Sequence, residues 1–531
     1  MPPNIWLPPP SVVGVCAALY RERNSNARDP PSKLGFVFPS ETLMNTRRDF
    51  LEKSLFAAAA AVMAGETVQL RGEDSEKKPT SANERLSLAC VGVRGRGKEH
   101  LQSYGALRDV DVVAIVDVDE EVGKSAVERL KKRTKKEPAF YRDIRKMLED
   151  KKIDLVSIAT PNHWHSLAAI WALQAGKDVY VEKPVSHNVT EGRRLVQTAR
   201  KHERICQAGT QCRSNPGMRE LMKFVQDGKI GEVKLARGLC YKRRGSIGPK
   251  GDYPIPKSVD YDLWSGPAQI KPLTRKSLHY DWHWMWDYGN GDLGNQGIHQ
   301  MDLARWGLGV DDIGTSVLSY GGRLGYEDAG ETANTQVCIH DFPNGKRLVF
   351  ETRGLKTSAL RGAAVGVVFY GTEGYVVVPS YTGGVAFDLK HQPIKHFGGG
   401  GSHFSNFIKG VRSRKHTDLN GDVLEGHISS ALCHLGNISY RLGKAVEGKE
   451  AAERLGADTE AWDTFDRFQE HLWYNDVTLN DAPLMHFGEK LAINPKSETF
   501  VGNSSSEANS LLTRDYRKPF VVPSESELAK T

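Results

Sequence analysis

Residues 153–184 read IDLVSIATPNHWHSLAAIWALQAGKDVYVEKP. An apolar run from Ile153 ends at Thr160, an Ala-rich helical segment follows, and a second apolar run stops on Glu182-Lys183-Pro184. In a doubly wound α/β sheet, ligands sit outside the carboxyl ends of the strands, and a proline halts this strand directly after the lysine. Lys183 is thereby aimed at the crevice and is the first candidate for chemistry.

The same logic applies upstream. Leu86–Val93 is a short buried-strand pattern running into Gly92-Val-Arg-Gly-Arg-Gly97, and the helix-like KEHLQSYGAL follows. The turn, with Gly92, Gly95, Arg96 and Gly97, predicts a phosphate cradle in which the following helix aims its N–H groups at a pyrophosphate. The usual spacing is GxGxxG; here Arg94 holds the second glycine position and Gly95 sits beside it. A second strand, Val110–Asp117, ends in an acid about 20 residues after the turn, where such folds bind ribose hydroxyls. Asp117 would repel the extra phosphate of NADP, so NAD is the expected cofactor.

The glycine turn, Asp117, TPNHWH, AGKDVYVEKP and GDLGNQGIHQMDLARW (291–306) together resemble the glucose-fructose oxidoreductase, inositol dehydrogenase and MocA family. VDYDLWSGPA from Val259, HFSNFIKGVRSRK from His403 and EGHISSALCHLGNISYRLG from Glu425 extend the likeness over most of residues 84–445, and LLTRDYRKPFVVP resembles the tail of a secreted bacterial branch. The resemblance implies an α/β fold: an N-terminal Rossmann domain (84–206), then an α/β domain (207–445) whose open, largely antiparallel sheet forms the substrate wall and an oligomer face. Residues 446–531 are a C-terminal extension.

Composition agrees with two cored domains: 531 residues, 39% hydrophobic, 26% charged, formal net charge +7. The runs KKRTKK near Lys131 and YKRR near Tyr241 read as solvated faces, because no base-reading module accompanies them and no nucleic-acid partner is expected. Thr46-Arg-Arg-Asp-Phe-Leu51 is a twin-arginine signature, followed by an apolar run from Ser54 to Gly65 too short for a permanent span. The expected organisation is a leader or misassigned start (1–43), a signal peptide (44–64) and a linker (65–83), with export to the periplasm by the twin-arginine machinery and no membrane span in the mature protein. Seven cysteines without a close CxxC pair argue against a disulfide framework; Cys206 and Cys212 flank the domain junction and could pair.

His299 and Asp302 lie three apart on a predicted helix and share a face, so the carboxylate could fix the imidazole tautomer while the ring takes a hydroxyl proton. The resemblance implies that an EKP lysine, an acid four residues before the histidine and the histidine itself serve the reaction. Carry-over gives Lys183 and His299; the acid position is Asn295, which retains hydroxyl-orienting capacity only. Near the positive nicotinamide, Lys183 is expected to have a depressed pKa. Glu182, Thr160, Asn162 and His165 are expected to line the cofactor, with Gln211 as a further contact. His163 and His165 lack a third ligand at metal spacing, so no metal is expected. Among Trp282, Trp284 and Trp286, packing competes with a sugar-stacking role; the family's Trp-Arg is Trp282-His283 here. Arg213 and Lys242 are further candidates for a hydroxyl-rich ligand.

An exported nicotinamide enzyme has no free NAD pool, so it should hold its cofactor tightly and restore it each cycle. The expected function is NAD-dependent oxidation of a sugar or polyol hydroxyl in a homo-oligomer. The alternatives are a redox-neutral glycosidase, which oxidises, eliminates and reduces, and a non-catalytic sugar- or cofactor-binding protein.

Overall fold

A computed structural model describes residues 84–479 and 484–530. The twin-arginine signature, the apolar run after it and Cys16 lie outside the described residues.

The first domain is a parallel sheet of β1 (Leu86–Val91), β2 (Val110–Val116), β3 (Ala139–Tyr141), β4 (Leu155–Ile158), β5 (Asp178–Val181) and β6 (Cys206–Ala208), in the order β3-β2-β1-β4-β5-β6. Its central strands, such as LVSI and DVYV, are buried throughout, as expected for a sheet covered on both faces. The covering helices are α1 (Gly97–Tyr104), α2 (Glu120–Thr134), α3 (Ile144–Leu148), α4 (Asn162–Gln174) and α5 (Val189–Lys201). Side-chain caps start several of them: Asp119 accepts from the Glu121 and Val122 amides, and Asn188 accepts from Glu191. The chain reverses order between β1 and β4, and there the strand ends open a crevice.

The second domain is a mixed, mostly antiparallel sheet. Its main path runs β14-β13-β12-β11-β7-β10-β9-β8, from β7 (Val233–Tyr241) through β8 (Ser316–Gly322), β9 (Thr335–Asp341), β10 (Arg347–Arg353), β11 (Val365–Gly371), β12 (Gly374–Val378) and β13 (Gly384–Asp388) to β14 (Pro393–Phe397); only β7 and β10 pair in parallel. α6 (Gly297–Leu308) and α7 (Val423–Arg441) pack against it, with Ile298, Met301, Leu303, Leu432 and Leu435 in one apolar core with Phe350 and Val376. α6 is buried along nearly its whole length, so its polar side chains need internal partners. Asp302 takes both oxygens to Arg213 Nε (3.0 and 2.9 Å) and accepts from Ser429 Oγ (2.7 Å); Arg305 pairs with Glu425, which also meets Arg213 at 3.0 Å. This ion-pair group locks α6 to α7 and to the turn that follows β6.

The tail wraps its own subunit. Strands Met485–Phe487 and Leu491–Asn494 pair with β8, after which the chain returns to the first domain. Arg514 Nη1 donates to the Asp287 carbonyl (2.9 Å), Arg517 Nη1 to Asp262 (2.7 Å), and the Phe520 ring packs edge-on against Trp164 at 5.5 Å. Cys206 and Cys212 are free and buried, as are the other four described cysteines, so the pairing that the sequence left open is not formed. No helix among the described residues is long and apolar enough to cross a membrane.

Phe520 is 1% exposed, so Phe520→Ala is expected to cost about 3–5 kcal/mol of stability, read as a lowered urea midpoint; an unchanged midpoint would show that the tail is not part of the core. Arg213→Met strands the Asp302 carboxylate in the interior and should cost about 3–5 kcal/mol in the same assay.

Candidate active site

The carboxyl ends of β1, β2, β4 and β5 meet the second domain around a cleft of about 470 Å³. At one end lies the glycine turn. Gly92 has φ +77°, and a Cβ there would come within 2.8 Å of the Ala159 carbonyl; a Cβ on Gly97 would stand 1.9 Å from the Gly92 oxygen. Gly95 faces open space, where a Cβ would meet nothing within 4 Å. No side chain caps the start of α1, so its positive dipole end is left to the cleft. Gly97 itself is buried beneath the turn and does not line the cleft.

Asp117 ends the neighbouring strand and lines the cleft. Its carboxylate accepts from the Val93 and Asp119 amides at 2.9 and 3.0 Å, and burial raises its pKa to about 6. Arg94 and Arg142 line the cleft as well, and Arg94 partly offsets the charge of Asp117. The acid is therefore not the sole determinant of charge at this end.

Arg96, Glu182 and Gln211 also line the cleft, but much of their bonding is mutual. Arg96 Nε donates to Glu182 Oε1 at 2.8 Å and Nη2 to Gln211 Oε1 at 2.9 Å. His100 Nε2 lies 3.1 Å from the same Glu182 oxygen. Although burial opposes ionisation, His100, Arg96 and Lys183 hold the Glu182 carboxyl well below the usual range. This network ties the glycine turn to the strand end that carries Lys183.

Lys183 Nζ donates to the backbone carbonyl of Asn295 at 2.7 Å. Burial lowers the lysine pKa, with Arg96 and Lys242 adding to the effect and Glu182 opposing it, so depression is present without any help from a cofactor. His299 stands in the same cleft wall with its ring edge-on to Tyr381, centroids 5.1 Å apart. Burial, reinforced by Lys183, pushes the imidazole well below its usual range, so it is neutral. His299 Nδ1 and Thr160 Oγ1 are buried without a partner. Two orphaned polar atoms in a hollow are what a polar ligand would satisfy.

His165 lies between the carbonyls of Pro184 (2.6 Å) and Thr160 (2.8 Å), tying two strand ends together, and Asn162 Nδ2 reaches across to Asn290 Oδ1 at 3.0 Å. Both line the cleft. Trp282 does too, stacked on His283 with centroids 3.6 Å apart, and burial lowers His283 to about 3. Among the described residues no group of three or more His, Cys, Asp or Glu is placed to hold a metal ion.

Two expectations need correction. Asp302 does not pair with His299: its carboxylate is taken up by Arg213 and Ser429, and it does not line the cleft. Arg213 is lost as a sugar contact for the same reason. Trp284 also lies outside this cleft. Conversely, Tyr381, His279 and Arg142 line it without having been anticipated as site residues, and Arg94 and His283, noted in the sequence as departures from the family pattern, line it too. Tyr381, His279 and Arg142 enter from loops far apart in sequence, and no motif signalled them.

Comparison with known proteins agrees with this geometry. Residues 86–210 match the profile described as "Oxidoreductase family, NAD-binding Rossmann fold", and residues 241–475 match "Oxidoreductase family, C-terminal alpha/beta domain". An alpha-N-acetylgalactosaminidase of Shewanella oneidensis is 30% identical over 203 residues, covering 35% of this chain and 44% of that protein. A glycosyl hydrolase family 109 protein of Shewanella sp. strain ANA-3 matches equally, so the chain spans less than half the length of these relatives. Among solved structures, a putative oxidoreductase from Thermotoga maritima superposes with TM-score 0.51 at 19% identity, covering 66% of this chain and 98% of that one. The WlbA dehydrogenase from Chromobacterium violaceum, solved with NADH and UDP-GlcNAcA, gives TM-score 0.50 at 18% identity, covering 68% and 96%. The glycine turn at a parallel-sheet crevice, closed by an antiparallel α/β domain and matched in both halves, shows that the chain belongs to the Gfo/Idh/MocA oxidoreductase family.

Proposed function

We propose that this protein holds NAD in the cleft, oxidises a hydroxyl-bearing carbon of a sugar, and uses that oxidation within a redox-neutral cleavage of a glycosidic bond. The observation that carries the reading is the pairing of a buried, pKa-lowered Lys183 with a neutral, unpartnered His299 in the wall of a cleft that begins at a glycine turn. The names of the relatives support the glycosidase form. A net oxidation of a free sugar or polyol is the second reading, favoured by the family's description as oxidoreductases.

The open turn at Gly92 and Gly95, together with Asp117, Thr160, Asn162, His165, Gln211 and Trp282, would hold the dinucleotide, with Gly97 allowing the turn to close beneath it. NAD, when bound, supplies an acceptor for hydride and, in the redox-neutral cycle, the means to return it. Lys183, unprotonated more readily because it is buried, takes the hydroxyl proton; the Asn295 carbonyl keeps its nitrogen oriented. A carbonyl on the sugar acidifies the adjacent C–H. His299 offers a second, separate proton acceptor for that hydrogen as the aglycone departs and water takes its place. Asn295 stands where the family places an acid, so Lys183 and His299 divide the proton work without a carboxylate at that position. The twin-arginine signature supports export of the folded protein with its cofactor already in place.

Lys183→Met and His299→Asn should each lower kcat by roughly 10²–10⁴-fold while dinucleotide remains bound. In the wild type, kcat/KM should rise with pH to a plateau whose pKa lies below the ordinary lysine value of about 10.4. Wild-type turnover in either variant, or a limb at the ordinary lysine value, would sink the assignment.

A further inference from the structure

A second hollow, of about 910 Å³, adjoins the cleft, and His279 and Tyr280 line both. Tyr280 has φ +68°, a left-handed backbone that bulky residues rarely adopt and that persists only when its surroundings impose it. The residue is nevertheless 50% exposed. The surroundings that fix it are visible: Arg244 Nη1 donates to the Tyr280 hydroxyl at 3.1 Å, and the same guanidinium is gripped by both oxygens of the buried Asp292 at 2.8 and 2.6 Å and lies over Trp284. An aromatic ring is thus held rigidly at the boundary between the hollows with much of its surface open. An ordered, half-exposed tyrosine of this kind is a stacking platform for a sugar ring.

Beyond the platform the second hollow is lined by Arg243 and Lys276, both exposed and neither in an ion pair among the described residues. The only acid lining it is Asp281, which is partly buried. Two cations outside any ion pair among the described residues, lining the same hollow as the tyrosine, favour a negatively charged group on whatever rests there.

We propose that this hollow receives the sugar unit next to the reacting one, its ring on Tyr280, and that this unit carries a carboxylate or a sulfate ester met by Arg243 and Lys276. The proposal rests on the carbohydrate reading above and adds the class of substrate, an acidic glycan.

The test is calorimetric titration of the full chain with N-acetylgalactosamine and with three disaccharides in which the same sugar is linked to galactose, to glucuronate or to galactose 6-sulfate. At least one charged disaccharide should bind roughly tenfold tighter than the neutral one, and Arg243→Gln/Lys276→Gln should erase the difference without weakening the neutral ligand. Which charged disaccharide gains separates carboxylate from sulfate. Tyr280→Gly, compatible with the positive φ, should weaken all three disaccharides more than the monosaccharide. If the monosaccharide binds and the three disaccharides bind alike, or if the double variant keeps the preference, the acidic-glycan proposal is overturned while the carbohydrate reading stands. If no sugar binds and the protein carries no dinucleotide, both are overturned.

Discussion

The hydrogen bond from Lys183 Nζ to the Asn295 carbonyl joins the turn after β5 of the nucleotide domain to the turn just before α6 of the substrate domain, at the point where chemistry is expected. The elements on either side of it are each held in place by buried ion pairs. From the first domain, Glu182 is bound to Arg96 and His100, so the strand end cannot drift from the glycine turn. From the second, α6 is held by Asp302, Arg213, Glu425 and Arg305, an interior set of charges that balances two against two. Removing one member leaves a buried charge without compensation, which is why the group acts as a lock rather than as a modest surface attraction.

The parts of the site that were legible in the sequence are those set by local chain geometry. Gly92 and Gly97 were readable because a strand-to-helix turn this tight admits no Cβ, and Lys183 because a proline stops the strand behind it. The order of the two domains followed from the motifs in sequence. Asp302 was misread for an equally physical reason: spacing along a helix says which residues share a face, not which distant partner claims them, and Arg213 lies 89 residues away. Tyr381, His279 and Arg142 were invisible because each reaches the cleft from its own loop. The return of the tail to the first domain was likewise not legible, since Phe520 and Trp164 meet only through the complete fold.

The cofactor end of the cleft carries a related lesson. Asp117 alone argued for NAD, yet Arg94 and Arg142 line the same cleft, and the carboxylate already accepts hydrogen bonds from two backbone amides. Three charged side chains of both signs therefore meet at this end of the cleft, which a single motif position does not report.

The central claim is that the glycine turn, Lys183 and His299 serve one bound nicotinamide. The measurement that tests it most directly is the dinucleotide content of the purified full chain after exhaustive dialysis, followed by its reduction on addition of a glycoside. The account predicts near-stoichiometric NAD that is reduced transiently and returns to its starting state as the aglycone is released. A protein that neither retains nor takes up dinucleotide would contradict it.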